Sequence, residues 1–144
     1  FDSNLNKYIE NETGIESFET VSEKDVVKYF ESNTFLTQRL IKFIHPLLKE
    51  QKDSIAVFIS DNTKKTNKKF LGIHNAIQAA NKEIVMSYSE ETLRIGPKVL
   101  LFEPLPMPTK TRNIMFPGED KKLLSTCKDE ATKLIKLLID SIKN

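Results

Sequence analysis

The chain has 144 residues, 22 basic and 20 acidic, for a formal charge of +2, with 39% hydrophobic residues, four glycines, one cysteine and no tryptophan. This length fits a single domain over 1–144 whose core needs no covalent staple, and one cysteine excludes a disulfide framework or a cysteine-based zinc site. With only two histidines a protein-only zinc site is not expected, and a charge of +2 gives no global basic field for nucleic acid.

No apolar run approaches the roughly 18 residues of a membrane-spanning helix, and Phe1-Asp2-Ser3-Asn4 has no secretory character, so an intracellular protein is expected, in no particular compartment. The missing initiator methionine suggests a processed chain or an excised segment. Gly14, Gly72, Gly96 and Gly118 stand singly, and no glycine-rich phosphate loop can be written with them.

Residues 1–20 are polar and acidic, with a short apolar stretch around Tyr8-Ile9 that predicts a weak first strand. Ser22 and Asp25 have the spacing of a capping box, a hydroxyl before a helix and a carboxylate three residues on. Val26, Phe30, Leu36, Leu40, Ile44 and Leu48 then recur near a 3.6 spacing, which predicts a long helix over about 22–50, kinked or loosened at Pro46. Ser54 to Ser60 is a continuous apolar run, β-branched and aromatic, and reads as a strand buried on both faces, as in a parallel sheet. Asp61 to Lys69 is a polar loop.

Ile73, Ala76, Ile77, Ala80, Ile84 and Tyr88 share one face of a second helix, 72–93, which Gly96-Pro97 stops. Lys98 to Phe102 is a second buried strand. Pro104, Pro106 and Pro108 forbid regular structure, and an irregular stretch is expected to about residue 122. Thr126 and Asp129 repeat the capping spacing before a final helix carrying Leu134, Leu137, Leu138 and Ile142. Strands alternating with helices predict an α/β fold: a small parallel sheet flanked by about three long helices.

From Ile15 to Ile142 the ordered features resemble the C-terminal half of a short-chain dehydrogenase/reductase. Glu19 to Asp25 resembles the family's approach to its long helix, and Phe30-Glu31-Ser32-Asn33 stands where the family writes Phe-Asp-Val-Asn. Thr34 to Gln38 and Pro46-Leu47-Leu48 continue that helix in the family's manner. Val57-Phe58-Ile59-Ser60 is similar to the strand that ends at the catalytic serine. Lys98 to Pro104 resembles the following strand, Thr109 falls at the cofactor-loop threonine, and Tyr8 to Ile15 is similar to a degraded Asn-Asn-Ala-Gly stretch. The resemblance implies a partial Rossmann-like, three-layer domain covering about half of a family member.

The departures concern chemistry. Nothing corresponds to the Gly fingerprint that lets backbone approach a pyrophosphate. The family's Tyr-x3-Lys pair is absent: Tyr8, Tyr29 and Tyr88 are followed four residues on by Glu12, Asn33 and Thr92. His74 or Asn75 falls at the tyrosine, with Gln78 or Ala79 one turn later, and Leu105 replaces the glycine beside the nicotinamide. Asn33 and Ser60 alone stand as remnants of the catalytic set, so the expectation is no cofactor, no metal and no hydride chemistry.

Each remnant has a plainer reading. Asn33 in mid-helix suits a solvated or backbone-bonded polar residue, and Ser60 a turn hydroxyl. His45 reads as structural; His74 is the better candidate for a substitute acid, but no carboxylate stands within one helical turn to orient it, since Gln78 occupies that place, and a structural role is expected for it too. Cys127 has no histidine in sequence reach. Lys64, Lys65, Lys68 and Lys69 form the only basic cluster, without arginine or interleaved aromatics, which suits a solvated loop better than nucleic-acid binding. Pro104 to Pro108, directly after a buried strand, reads as a rigid exit loop, not a PxxP ligand.

The resulting expectation is a non-catalytic dehydrogenase-like domain acting in association or as a scaffold. Its partner, a protein or a second copy, would bind through helices 22–50 and 70–93 or the exposed first-strand edge. The alternative is part of an NAD(P)-dependent oxidoreductase whose nucleotide-binding half lies upstream or on a partner chain.

Overall fold

The computed structural model describes residues 17, 19–61 and 69–143. The weak first strand expected near Tyr8, and Lys64, Lys65 and Lys68 of the basic cluster, lie outside the described residues. Helix α1 spans Glu23–Phe30, a five-residue π-helical segment spans Glu31–Phe35, and α2 continues over Leu36–Lys49. Strand β1 (Ile55–Ile59), helix α3 (Gly72–Thr92) and strand β2 (Lys98–Phe102) follow, then α4 (Lys110–Met115), a 3-10 turn (Lys121–Leu123) and α5 (Cys127–Lys143).

The capping residues behave as their chemistry requires. Ser22 Oγ accepts the Asp25 N–H at 3.1 Å and donates to Asp25 Oδ2 at 2.6 Å, and Thr126 treats Asp129 in the same way at 3.1 and 2.7 Å. Pro46 lies inside α2, which runs on to Lys49, and the long helix is interrupted at a place the sequence did not announce, Glu31–Phe35. The cause is local. A π turn strains the backbone ladder, and side-chain donors supply it with extra bonds: Ser32 Oγ donates to Lys28 O at 2.9 Å, Asn33 Nδ2 to Tyr29 O at 2.9 Å, and Thr37 Oγ1 to Asn33 O at 2.9 Å.

β1 and β2 pair in parallel, from Ile55 opposite Lys98 to Ile59 opposite Phe102, with α3 as the connection between them. One core cluster joins Ala56 and Val99 of the sheet to Val85 and Tyr88 of α3, with Ile41 and Leu48 of α2 packed against it. A second joins Tyr29 of α1 to Ile73 and Ile77 of α3. The strands are less covered than their apolar sequences predict: Ala56 and Val99 are their only buried members, and Ile59 is 67% exposed. The ladder bonds Ser60 N to Phe102 O and Lys98 N to Ser54 O fix which β1 residues face β2. By alternation, the backbone groups of Ile55, Val57 and Ile59 point to the far edge, where no described strand pairs.

α3 stops at Gly96-Pro97 as expected, with the Gly96 N–H on Thr92 O at 3.1 Å. Here glycine is needed for space: a Cβ would lie 2.8 Å from Thr92 Cβ and 2.9 Å from its Cγ2. The stretch to residue 122 is more ordered than its prolines suggested. Proline control ends at Pro108, after which Thr109 caps α4 by accepting the Arg112 N–H at 3.2 Å. Arg112 then holds Glu119 by two bonds of 2.7 and 2.6 Å and lies 4.8 Å from the Phe116 ring centroid.

Candidate functional site

Two places concentrate chemistry. The first is a cleft of about 340 Å³ at the carboxyl ends of β1 and β2, with Ser60, Asp61, His74 and Gln78 on one side and Leu105 and Met107 among its apolar walls. His74 and Gln78 are four apart on α3, hence on one helical face, which brings both to the residues that end β1. Ser60 is buried, and its Oγ donates to Gln78 Oε1 at 3.4 Å, while the Asp61 N–H donates to the same oxygen at 3.3 Å. His74 Nε2 lies 3.3 Å from Asp61 Oδ2.

This corrects the reading of His74, for which no orienting carboxylate was expected. The carboxylate is 13 residues away, on the turn after β1, and reaches the imidazole across the strand–helix junction. Of the residues left open by the sequence, His74 and Gln78 line the cleft, whereas Asn75 holds a buried Oδ1 without a described hydrogen-bond partner and Ala79 is exposed.

Asn33 stands away from this cleft's lining. Its Nδ2 donates to Tyr29 O and, at 3.1 Å, to Ser32 Oγ, so its amide serves the π segment. His45 Nδ1 is 3.0 Å from the Tyr88 hydroxyl, and the two rings meet edge-on at 5.7 Å. Burial first, then the nearby Glu91, raises the Tyr88 phenol above its ordinary value. Cys127 is exposed.

One wall of the cleft is latched to α5. Glu130, 3% exposed, accepts the Leu105 N–H at 3.0 Å, the Ser125 hydroxyl at 2.5 Å and Lys133 Nζ at 2.5 Å. Lys133 first, then Ser125 and the Leu105 amide, hold its carboxyl down at about 2 against the opposing effect of burial. The Ser125 N–H on Pro106 O, at 2.9 Å, closes the latch from the other side.

The second place is the outer face of α2. No residue of this 14-residue helix is buried. Leu36, Leu40, Phe43 and Leu47 are 56, 49, 73 and 58% exposed, and their spacing of four, three and four makes a continuous apolar stripe. On a different side of α2, away from this stripe, α2 and α3 enclose adjoining depressions of about 470 and 420 Å³. Ile41 and Tyr88 line both; Lys42 and Lys49 of α2 stand at the groove with Glu83 and Glu91 of α3. Among the described residues, no helix is long and apolar enough to cross a membrane.

No protein-family model matches this chain, and no curated protein matches it. Solved structures do. A short-chain dehydrogenase from Salmonella enterica subsp. enterica serovar Typhi str. CT18 superposes with a TM-score of 0.72 at 20% identity, over 88% of this chain and 51% of its own. The oxidoreductase yciK from E. coli gives 0.67 at 20% identity, over 86% and 49%. A short-chain dehydrogenase from Streptomyces avermitilis gives 0.59 at 22% identity, over 80% and 38%. The chain thus has the partial Rossmann-like α/β fold of these structures while spanning 38 to 51% of their length.

Proposed function

We propose that this chain is a non-catalytic, dehydrogenase-like domain that works by association through the outer face of α2. The observation that carries the reading is α2 itself: four large apolar side chains in one stripe, on a helix with no buried residue. Full burial of each such side chain stabilises by about 1.5–3 kcal/mol, so leaving four in water is a cost that a partner surface removes. About a two-fold axis the same stripe of one copy meets that of another, so an apolar stripe is complementary to itself and a second copy of the chain is the favoured partner.

The same reading accounts for the cleft. Where the resemblance implies a phenol and an ammonium one turn apart, the chain has His74 and Gln78, and Gln78 cannot carry a charge that would favour a phenolate. Leu105 stands where close approach to a nicotinamide asks for glycine. Association needs none of these groups.

Light scattering at micromolar concentration tests the proposal, with a mass above that of one chain expected and a well-behaved monomer counting against it. Titration with NADH and NADPH separates it from the alternative, a half-enzyme completed by a nucleotide-binding half upstream or on a partner chain. The proposal expects no saturable binding; tight binding with turnover refutes it.

A further inference from the structure

The cleft at the strand ends carries a hydrogen-bonding code that its replaced residues define. A backbone N–H can only donate, so the atom of Gln78 that the Asp61 N–H meets at 3.3 Å is the carbonyl oxygen, which fixes the orientation of the amide. The Ser60 hydroxyl spends its one proton on the same oxygen. With Oε1 taken by both donors, Gln78 has its Nε2 hydrogens to offer a ligand, and Ser60 Oγ, its proton used, has lone pairs. Both residues line the cleft, which therefore has one donor and one acceptor to offer.

The charges narrow the ligand further. Arg112, the one described cation lining the cleft, is held by both oxygens of Glu119, and Asp61 faces His74. Lys82, one turn beyond Gln78 on α3, is taken by Glu103 at 3.0 Å. Among the described residues, an anion would meet the Asp61 carboxylate with no lysine or arginine given over to it. The walls supplied by Leu105, Pro106, Met107 and Met115 suit an apolar body, and a volume of about 340 Å³ admits a small molecule.

We propose that this cleft binds a small neutral ligand containing a cis-amide, such as a lactam. The C=O of the ligand accepts from Gln78 Nε2, its N–H donates to Ser60 Oγ, and its ring packs on Leu105 and Met107. The inference does not rest on association, because none of Leu36, Leu40, Phe43 and Leu47 lines the cleft.

The test is an NMR titration of the ¹⁵N-labelled protein with ε-caprolactam, ε-caprolactone and N-methylcaprolactam. Caprolactam is expected to bind with millimolar affinity and to shift the amides of Asp61, Gln78 and Leu105. Caprolactone and N-methylcaprolactam, which lack the N–H, are expected to bind about fivefold more weakly, the weight of one hydrogen bond. Gln78→Met should weaken all three ligands, whereas Ser60→Ala should weaken caprolactam and leave caprolactone unchanged, a split that a purely structural role does not produce. Equal binding of the three ligands to the unaltered protein, or no shift of these amides with caprolactam, overturns the proposal even where a variant fails to fold.

Discussion

Replacing Glu130 by Gln tests the latch between the cleft wall and α5. The carboxylate is buried and accepts three hydrogen bonds, one from a cation. Glutamine keeps an oxygen for the Leu105 N–H but loses the ionic bond to Lys133 and one of the two acceptor oxygens. Hydrogen bonds to charged groups contribute about 1.5–3 kcal/mol each, and Lys133, half exposed, is rehydrated when its partner goes. A net loss of about 2 kcal/mol follows, a fall in Tm of roughly 5–8 °C for a chain of this size.

The pH dependence is the sharper part. Glu130 is held at about 2, below the ordinary carboxylate value of 4.5, so its contribution is complete above the unfolded-state value and is lost as pH falls through the folded-state value. Urea unfolding of both proteins between about pH 7 and pH 2 reads this directly. The stability gap should be constant from about pH 7 to pH 5, narrow below about pH 4.5 and close near pH 2. A gap that persists unchanged down to about pH 2, or no gap at neutral pH, refutes the argument.

Two further substitutions probe the core. Gly96→Ala brings a methyl against Thr92 at 2.8–2.9 Å and should cost about 1–3 kcal/mol, seen as a lower Tm; unchanged stability would mean that the turn after α3 yields freely. Tyr88→Phe removes the hydroxyl bonded to His45 and should cost about 1 kcal/mol, whereas Tyr88→Ala should cost about 3–5 kcal/mol because the ring is 5% exposed; urea unfolding that finds the two equal would show that packing of the ring contributes nothing.

What could be read from the sequence was what is local in it. The capping hydroxyls Ser22 and Thr126 act on residues three away, the runs Ile55–Ile59 and Lys98–Phe102 carry their own strand signal, and Gly96-Pro97 stops a helix by its own geometry. The π segment was harder, because its signal is Ser32, Asn33 and Thr37, whose side chains donate to backbone carbonyls, and helical periodicity passes over it. Three-dimensional proximity was not legible. Asp61 reaches His74 and Glu130 reaches Leu105 only once β1 and α3, or β2 and α5, are placed together. The short helix α4 was hidden by the prolines before it, although Thr109 three residues ahead of Arg112 was the local sign of its cap. The exposure of the α2 stripe is likewise a property of packing: the same leucines, read as a sequence, predict a buried face.

The most direct test of the association claim is sedimentation velocity on the protein and its Phe43→Asp variant at micromolar concentration. Phe43 is the most exposed member of the α2 stripe at 73%, so the substitution removes no core contact and the variant should keep its Tm. A carboxylate placed in an apolar interface should weaken association at least about tenfold. The account predicts an oligomer that Phe43→Asp converts to a folded monomer. An unaltered protein that sediments as a monomer, or a variant that associates as tightly as its parent, contradicts it.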